Sequence, residues 1–305
     1  MTRPLAGQVA IVSGVGPGLG RSVALALARE DANVVLAARR QRSLDEVSAE
    51  IRAAGGRESS SVVTDITDPD ACQRLVDGTI ARFGRIDVLV NNAMSTSRYG
   101  RADTLELADW RVAMETNFFG TLQLTTCVLP HMQAQRGGSI VNINTMGSQL
   151  VRPHGGAYAS SKGALATLTE VLAVDLGEFG IRVNGVLPGY IGAPPLDEVL
   201  AGVAETTGRA LADVRADVES QISLRRIPTA SEVAEVVVFF ASPQSSAVTG
   251  QNLLVNGGLR LPVPGMVEGA QPVSAVDAGD GEPVEPATGA HGAAELRRAP
   301  RRGRA

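Results

Sequence analysis

Aromatic residues make up only 3% of this 305-residue chain, so its interior has to be filled mainly by Ala, Val, Leu and Ile. Cysteine is nearly absent as well. Cys72 and Cys127 stand far apart in helix-like sequence and read as two buried thiols in a reducing compartment, not as a disulfide. The three histidines, His131, His154 and His291, are scattered, which argues against a structural zinc. No run of about 18 uninterrupted apolar residues occurs, so a membrane-spanning helix is not expected. The first residues, Met1 to Gln8, lack the apolar core of a secretory signal, and a cytoplasmic location is expected. A net charge of -4 supplies no electrostatic reason to expect nucleic acid as a partner.

What is present is periodic. Short β-branched runs read as strands at Val9–Ser13, Val34–Ala37, Ser61–Thr64, Asp87–Val90, Ser139–Ile143, Arg182–Val186 and Leu253–Asn256. Amphipathic stretches lie between them, among them Arg21–Glu30, Leu44–Ala53, Ala71–Phe83 and Ala157–Phe179. Asp68-Pro69 and Ser231 offer helix starts. Nearly all-apolar strands separated by helices imply a parallel sheet covered on both faces. The expectation is a Rossmann-like, doubly wound α/β domain over residues 1–261, with ligand at the carboxyl ends of its seven strands.

Two segments stand outside this alternation. Residues 190–228 hold helical pieces (Leu196–Val203, Asp213–Ile222) where a short connection would suffice, which suggests a substrate lid. Surface packing or oligomer formation is the plainer alternative. From Pro262 to Ala305 the chain is rich in Pro, Gly and Ala and has no period. Its acids lie mostly between Glu268 and Glu285, and its arginines run from Arg297 to Arg304. Such a stretch cannot offset its ordering entropy by burial, and a disordered tail is expected.

The chemistry is concentrated in a few motifs. Ser13-Gly14-Val15-Gly16-Pro17-Gly18-Leu19-Gly20 follows the first strand and opens a helix. The first glycine permits a tight turn; Gly18 and Gly20 let backbone approach a diphosphate and let the helix pack on the sheet. Free N–H groups at the helix start then meet the anion. After the second strand neither Ala37 nor Ala38 is acidic, and Arg39 and Arg40 follow. Two guanidinium groups suit a 2′-phosphate, so NADP is expected over NAD, although residues 15–17 add no basic group. Tyr158 and Lys162 lie four residues apart, on one face of a helix. An ammonium beside a phenol favours the phenolate and eases proton exchange near neutrality. In isolation these would be a packed aromatic and a solvated lysine; their joint occurrence with the glycine turn points to proton transfer coupled to hydride transfer.

The ordered set Ser13-Gly14…Gly18-Leu19-Gly20, Asn91-Asn92-Ala93, Asn117, Thr145, Tyr158-x-x-x-Lys162 and Pro188-Gly189 resembles the short-chain dehydrogenases/reductases, from about Leu5 to Leu261. The resemblance implies that Tyr158 is the general acid/base, that Lys162 holds ribose hydroxyls and lowers the Tyr pKa, and that Asn117 retains a relay water. It implies that Asn91 steadies the central strand beside the cofactor, and that Asp65, with Ile66 after it, caps the adenine. Ile191 would contact the nicotinamide amide through its backbone. Three positions depart from the family pattern. Thr145 stands where Ser is usual, with Ser148 as a less favoured stand-in; Met94 replaces a glycine; Ala193 replaces a Thr that often holds the nicotinamide end. His154, four residues before Tyr158, reads as a surface or substrate-loop residue for want of a partner.

The expected activity is NADP(H)-dependent interconversion of a secondary alcohol and a ketone on a moderately hydrophobic small molecule. An NAD(H)-linked alcohol dehydrogenase is the alternative, and a non-catalytic dinucleotide-binding regulator a more distant one. A homodimer or homotetramer is implied by the family, through the helices around Asn117 and Tyr158 and the Leu253–Asn256 strand edge.

Overall fold

A strand with apolar side chains on both faces demands cover on both faces, and β1 (Val9–Ser13) is buried throughout. In this computed structural model, which describes residues 3–96, 98, 100–151 and 154–259, β1 is an inner strand, third in a seven-stranded sheet. The strand order is β3-β2-β1-β4-β5-β6-β7 and every pairing is parallel. The remaining strands are β2 (Asn33–Ala38), β3 (Ser59–Val63), β4 (Val88–Asn91), β5 (Gly138–Ile143), β6 (Ile181–Pro188) and β7 (Asn252–Val255). The chain order reverses between β1 and β4, which stay paired as far as Ser13 and Asn91, so the connections after them run to opposite sides and leave a crevice there. The segment Pro262–Ala305, expected as a disordered tail, lies outside the described residues.

Helices α1 (Leu19–Arg29), α2 (Gln41–Ala53) and α9 (Ala230–Ala241) cover one face. Val23, Leu27, Leu44, Val233 and Val237 pack there on Ala10, Val12, Val90 and Val141. Helices α3 (Pro69–Phe83), α5 (Thr121–Gln135) and α6 (Gly156–Leu176) cover the other, where Leu75, Leu124, Val128 and Leu172 meet Ile11, Val35, Leu89 and Ile140. Adjacent residues of β1 thus serve opposite layers, as the two-residue period requires. Each fully buried Leu contributes roughly 2 kcal/mol. The edge strands are the exceptions to burial: β3 is half-exposed, and Leu253 and Leu254 of β7 face outward.

Helix boundaries follow local chemistry. Asp68 caps α3, its Oδ1 accepting from the Asp70 N–H at 2.9 Å, and Pro69 takes the first helical position. Gly84, at φ 74°, ends the helix. The start expected at Ser231 lies two residues earlier: Thr229 and Glu232 form a reciprocal capping box. Arg226, with added help from Thr229, holds the Glu232 carboxyl down to about 2.

Strand limits lie within one or two residues of those expected. The helical stretch expected to reach Phe179 ends at Leu176, where a 3₁₀ turn and Gly180 at φ 71° stop it. The helices expected around Asn117, without bounds, are α4 (Leu107–Met114) and α5. A π-helical turn, Glu115–Gly120, joins them, and Pro130 lies within the unbroken α5, so neither shows a clean 3.6-residue stripe. The 190–228 segment forms α7 (Pro194–Thr207) and α8 (Leu211–Ser220). Leu200, Ala204, Val214 and Ile222 build a small core of their own with Met146.

Candidate active site

The glycine turn begins where β1 stops. Gly14 sits at φ 78°, and its N–H and that of Val15 donate to the Ala37 carbonyl at 2.8 and 3.1 Å. A Cβ on Gly14 would lie 2.5 Å from the Ala93 nitrogen, and one on Gly20 would lie 2.7 Å from Asn92 Nδ2, so both positions exclude a side chain. Asn92 Nδ2 donates to the Gly14 carbonyl at 2.8 Å and locks the turn to the end of β4. Ser13 is buried below, its hydroxyl accepting from the Ala93 N–H at 3.4 Å. Gly18, at φ 131°, precedes α1, whose first turn has neither a capping side chain nor an acid. The Arg21 and Ser22 N–H groups bond back to the Gly16 and Gly18 carbonyls, so the Leu19 and Gly20 N–H groups and the positive dipole end face an anion.

In front of this turn lies a cleft of about 560 Å³. Ten expected site residues line it: Gly14, Gly18, Leu19 and Gly20 at the turn, Arg39, Arg40, Asp65 and Ile66 at one end, and Ala93 and Ile191 at the other. Volume, glycine cradle and uncapped helix start fit a dinucleotide, with its diphosphate on the turn. Arg39 and Arg40 are both exposed. Asp65 accepts the Thr67 N–H at 3.0 Å and the Thr67 hydroxyl at 2.8 Å through one oxygen. The Thr67 backbone bond, with smaller help from the Thr67 hydroxyl and Arg39, holds the Asp65 carboxyl below its usual range against the effect of burial. Ile66 is buried, and its carbonyl accepts from Gln123 at 2.9 Å.

The second group of residues assembles at the ends of β4, β5 and β6. Asn91 donates to Asn142 and Thr125 at 2.9 and 3.0 Å, tying β4 to β5 and α5. Thr145 follows β5; its Oγ1 accepts from the Gly147 N–H at 3.2 Å, which leaves its own hydrogen free to be aimed. Ser148 donates its hydroxyl to the Thr145 carbonyl at 2.8 Å and thereby buttresses Thr145. Helix α6 starts at Gly156, where a Cβ would come 3.1 Å from the Trp110 ring. Tyr158 is half-buried and points its hydroxyl at Met94 Sδ, 4.0 Å away.

One turn on, Lys162 is 2% exposed and donates to the Ile143 carbonyl at 2.8 Å. Burial pushes its pKa from 10.5 down to about 7. Both hydrogens of the Asn117 amide are engaged, and its oxygen accepts one bond. Its Oδ1 accepts from the Ser95 N–H, and its Nδ2 donates to the Ser95 carbonyl and to Ser161 Oγ, at 2.8 to 2.9 Å. Ser161 in turn donates to the Tyr158 carbonyl at 2.8 Å. Asn117 thus laces the segment after β4 onto the helix that carries Tyr158 and Lys162.

Thr145, Tyr158, Lys162, Asn117, Pro188 and Gly189 do not line the cleft; Met94, which does, joins it to the Tyr158 hydroxyl. Gly189 lies where β6 leaves the sheet, and a Cβ there would come 2.8 Å from Asn256 Cβ. Ala193 lines the cleft and precedes α7. His154 is exposed, at φ 68°, with its carbonyl bonded to the Gly100 N–H at 2.8 Å. Sequence reasoning quoted Asn92 within the Asn91-Asn92-Ala93 motif without giving it a role, and passed over Ser161. Asn92 stands beside two residues that it did select, and Ser161 directly precedes Lys162, so adjacency was the available signal.

A family model described as Enoyl-(Acyl carrier protein) reductase matches residues 14–260. The 3-oxoacyl-(acyl-carrier-protein) reductase of Thermotoga maritima is 34% identical over 84% of this chain and 98% of its own length. Cis-4-hydroxycyclohexanecarboxylate dehydrogenase of Sinomonas cyclohexanicum is 35% identical over 85% of this chain and 98% of its own. Among solved structures, a tryptophan variant of actinorhodin polyketide ketoreductase with NADPH superimposes with a TM-score of 0.78 at 31% identity, covering 83% of this chain and 97% of the other. NAD+-bound xylitol dehydrogenase gives 0.78 at 31%, covering 83% and 99%. With a cleft shaped for a dinucleotide and this breadth of likeness, the chain belongs to the short-chain dehydrogenase/reductase family, oxidoreductases that act on CH–OH and keto groups with a nicotinamide dinucleotide.

Proposed function

We propose that the protein interconverts a secondary alcohol and a ketone with NADP(H), using Tyr158 as general acid/base. The observation that carries this reading is the Tyr158 hydroxyl meeting Met94 on the cleft wall while Lys162, one turn along, is anchored on the end of β5. When bound, the nicotinamide group supplies a hydride to the carbonyl carbon or accepts one from the alcohol carbon. In reduction Tyr158 donates its hydroxyl proton to the substrate oxygen, and in oxidation it removes the alcohol proton. Thr145 steadies the same oxygen with its free hydroxyl hydrogen; Gly147 and Ser148 support that orientation. Lys162 binds ribose hydroxyls and favours proton release from the phenol by its charge. Asn117 holds the walls of the site together. Both hydrogens of its amide are already engaged, so the amide nitrogen has none left to donate to a relay water.

Arg39 and Arg40 would take the 2′-phosphate of NADP. Among the described residues Asp65 is the one acid on the cleft wall, and its carboxylate is already bound to Thr67. NADPH with the polyketide ketoreductase supports this choice, whereas NAD+ with xylitol dehydrogenase shows that the fold accepts either nucleotide. The apolar lid residues Leu196 and Leu200, together with Met94 and Met146, favour a moderately hydrophobic ketone, of the cyclic or 3-oxoacyl kind that the relatives' names describe. Residues 190–228 act as the lid, and the chain works in the cytoplasm as a homodimer or homotetramer. Outward-facing Phe119, Val171 and Val174, with Leu253 and Leu254 at the β7 edge, supply the apolar surface for self-association.

The test is a panel of cyclic and 3-oxo ketones with NADPH or NADH, applied to the wild type and Tyr158→Phe. Turnover that Tyr158→Phe abolishes supports the reading. Tight cofactor binding without turnover, identical in both proteins, overturns it.

A further inference from the structure

Met94 lies at the junction of two sites that are otherwise separate. Its side chain lines the dinucleotide cleft, it is 44% exposed, and its sulfur lies 4.0 Å from the Tyr158 hydroxyl oxygen. Its neighbours are pinned. Ala93 packs against Gly14 and donates to Ser13, while Ser95 exchanges two backbone hydrogen bonds with the Asn117 amide. The backbone at Met94 is therefore held on both sides, and any accommodation there falls to its side chain. That side chain is suited to it: unbranched, with three rotatable bonds and a thioether that accepts only weakly.

A substrate oxygen must come within about 2.6–3.2 Å of the phenol oxygen to exchange its proton. Met94 sulfur already occupies an approach to that oxygen. We propose that Met94 is the specificity-determining gate of the carbonyl site: its thioether caps the Tyr158 hydroxyl, swings aside when a substrate oxygen displaces it, and then lies against the substituent beside the reacting carbon. The volume left beside the displaced thioether sets how bulky that substituent can be. This rests on the Tyr158 chemistry proposed above, and the measurements separate the two.

The full chain is compared as wild type, Met94→Ala and Met94→Leu, with cyclohexanone and 2-decalone as probes at saturating NADPH. Truncation to Ala raises the kcat/KM ratio of the fused-ring ketone to cyclohexanone at least tenfold, mostly through KM, and Leu restores the ratio to within about threefold of wild type. A ratio within twofold of wild type in Met94→Ala overturns the proposal. In parallel, the protein is labelled with methyl-13C methionine, and the Met94 signal is assigned among the six methionines by its loss in Met94→Ala. Tyr158→Phe shifts that methyl signal, as does 2-decalone added with NADP+; a signal indifferent to both overturns the gate. If no variant reduces either ketone while the methyl still answers to Tyr158→Phe and to 2-decalone, Met94 caps Tyr158 as stated and the oxidoreductase reading for this substrate class is the part that fails.

Discussion

Lys162 spends its ammonium on a backbone carbonyl, that of Ile143 at 2.8 Å, at a position only 2% exposed. Burial without a carboxylate partner lowers its pKa to about 7, so in the protein alone it carries its full charge only below neutrality.

Replacing Lys162 by Met separates stability from activity. The folded pKa of about 7 lies below the ordinary 10.5, so between those values the unfolded chain holds a proton that the folded chain lacks. Wild-type stability therefore rises with pH through this window. In the absence of cofactor, Lys162→Met melts above the wild type at pH 6.5, and the gap narrows steadily towards pH 10; turnover falls by at least ~100-fold. Thermal melts across pH with parallel assays check both. A gap that widens with rising pH contradicts the assignment.

Cofactor choice is read by Arg39→Ala. A charge-assisted bond to a 2′-phosphate is worth about 1.5–3 kcal/mol, so NADPH affinity drops by roughly 10- to 100-fold. NADH affinity stays within about twofold. Titration calorimetry with both nucleotides decides; equal losses for the two would remove Arg39 from the phosphate site.

Thr145 tests the hydroxyl donor. Thr145→Ser keeps the donor and its bond to Gly147 and retains activity within a few-fold, whereas Thr145→Ala lowers kcat by ~100-fold or more. Ser148→Ala, which removes only the support to the Thr145 carbonyl, has a smaller effect than Thr145→Ala. Steady-state kinetics on the three variants rank them; a harmless Thr145→Ala would dismiss the role.

Two glycines of one turn differ in what they tolerate. Gly14→Ala forces a Cβ into Ala93 at a positive φ and destabilises the fold by about 2 kcal/mol or more. Gly16→Ala meets no atom within 4 Å and leaves the melting temperature nearly unchanged. Thermal denaturation distinguishes them.

Self-association is tested at the sheet edge. Leu254→Arg places a charge on the outward face of β7 and shifts the protein to a smaller species in light scattering after gel filtration. An unchanged mass would move the contact away from this edge.

Much of the fold was legible because each layer repeats a local rule. The strand expected at Val9–Ser13 occupies those same residues, since five buried side chains in a row leave a strand covered on both faces as the consistent outcome. Asp68-Pro69 marked the start of α3 because capping depends on the next two residues alone. The bounds of α4 and α5, the helices expected around Asn117, were not legible because a π-helical turn shifts the register between them and Pro130 lies within α5. The cap of α9 was displaced from Ser231 to Thr229 because Glu232 reaches back to complete the box, a pairing three residues wide.

Local spacing by itself determined that a glycine turn follows a buried strand, and that a phenol and an ammonium share a face of one helix. Both relations span only a few residues, so no knowledge of distant chain is needed to read them. Tertiary structure alone decided that Met94 reaches the Tyr158 hydroxyl and that Ser95 occupies Asn117, partners 64 and 22 positions apart. Such meetings depend on which strands lie side by side: placing β4 next to β5 brings the end of one strand against the helix that follows the other.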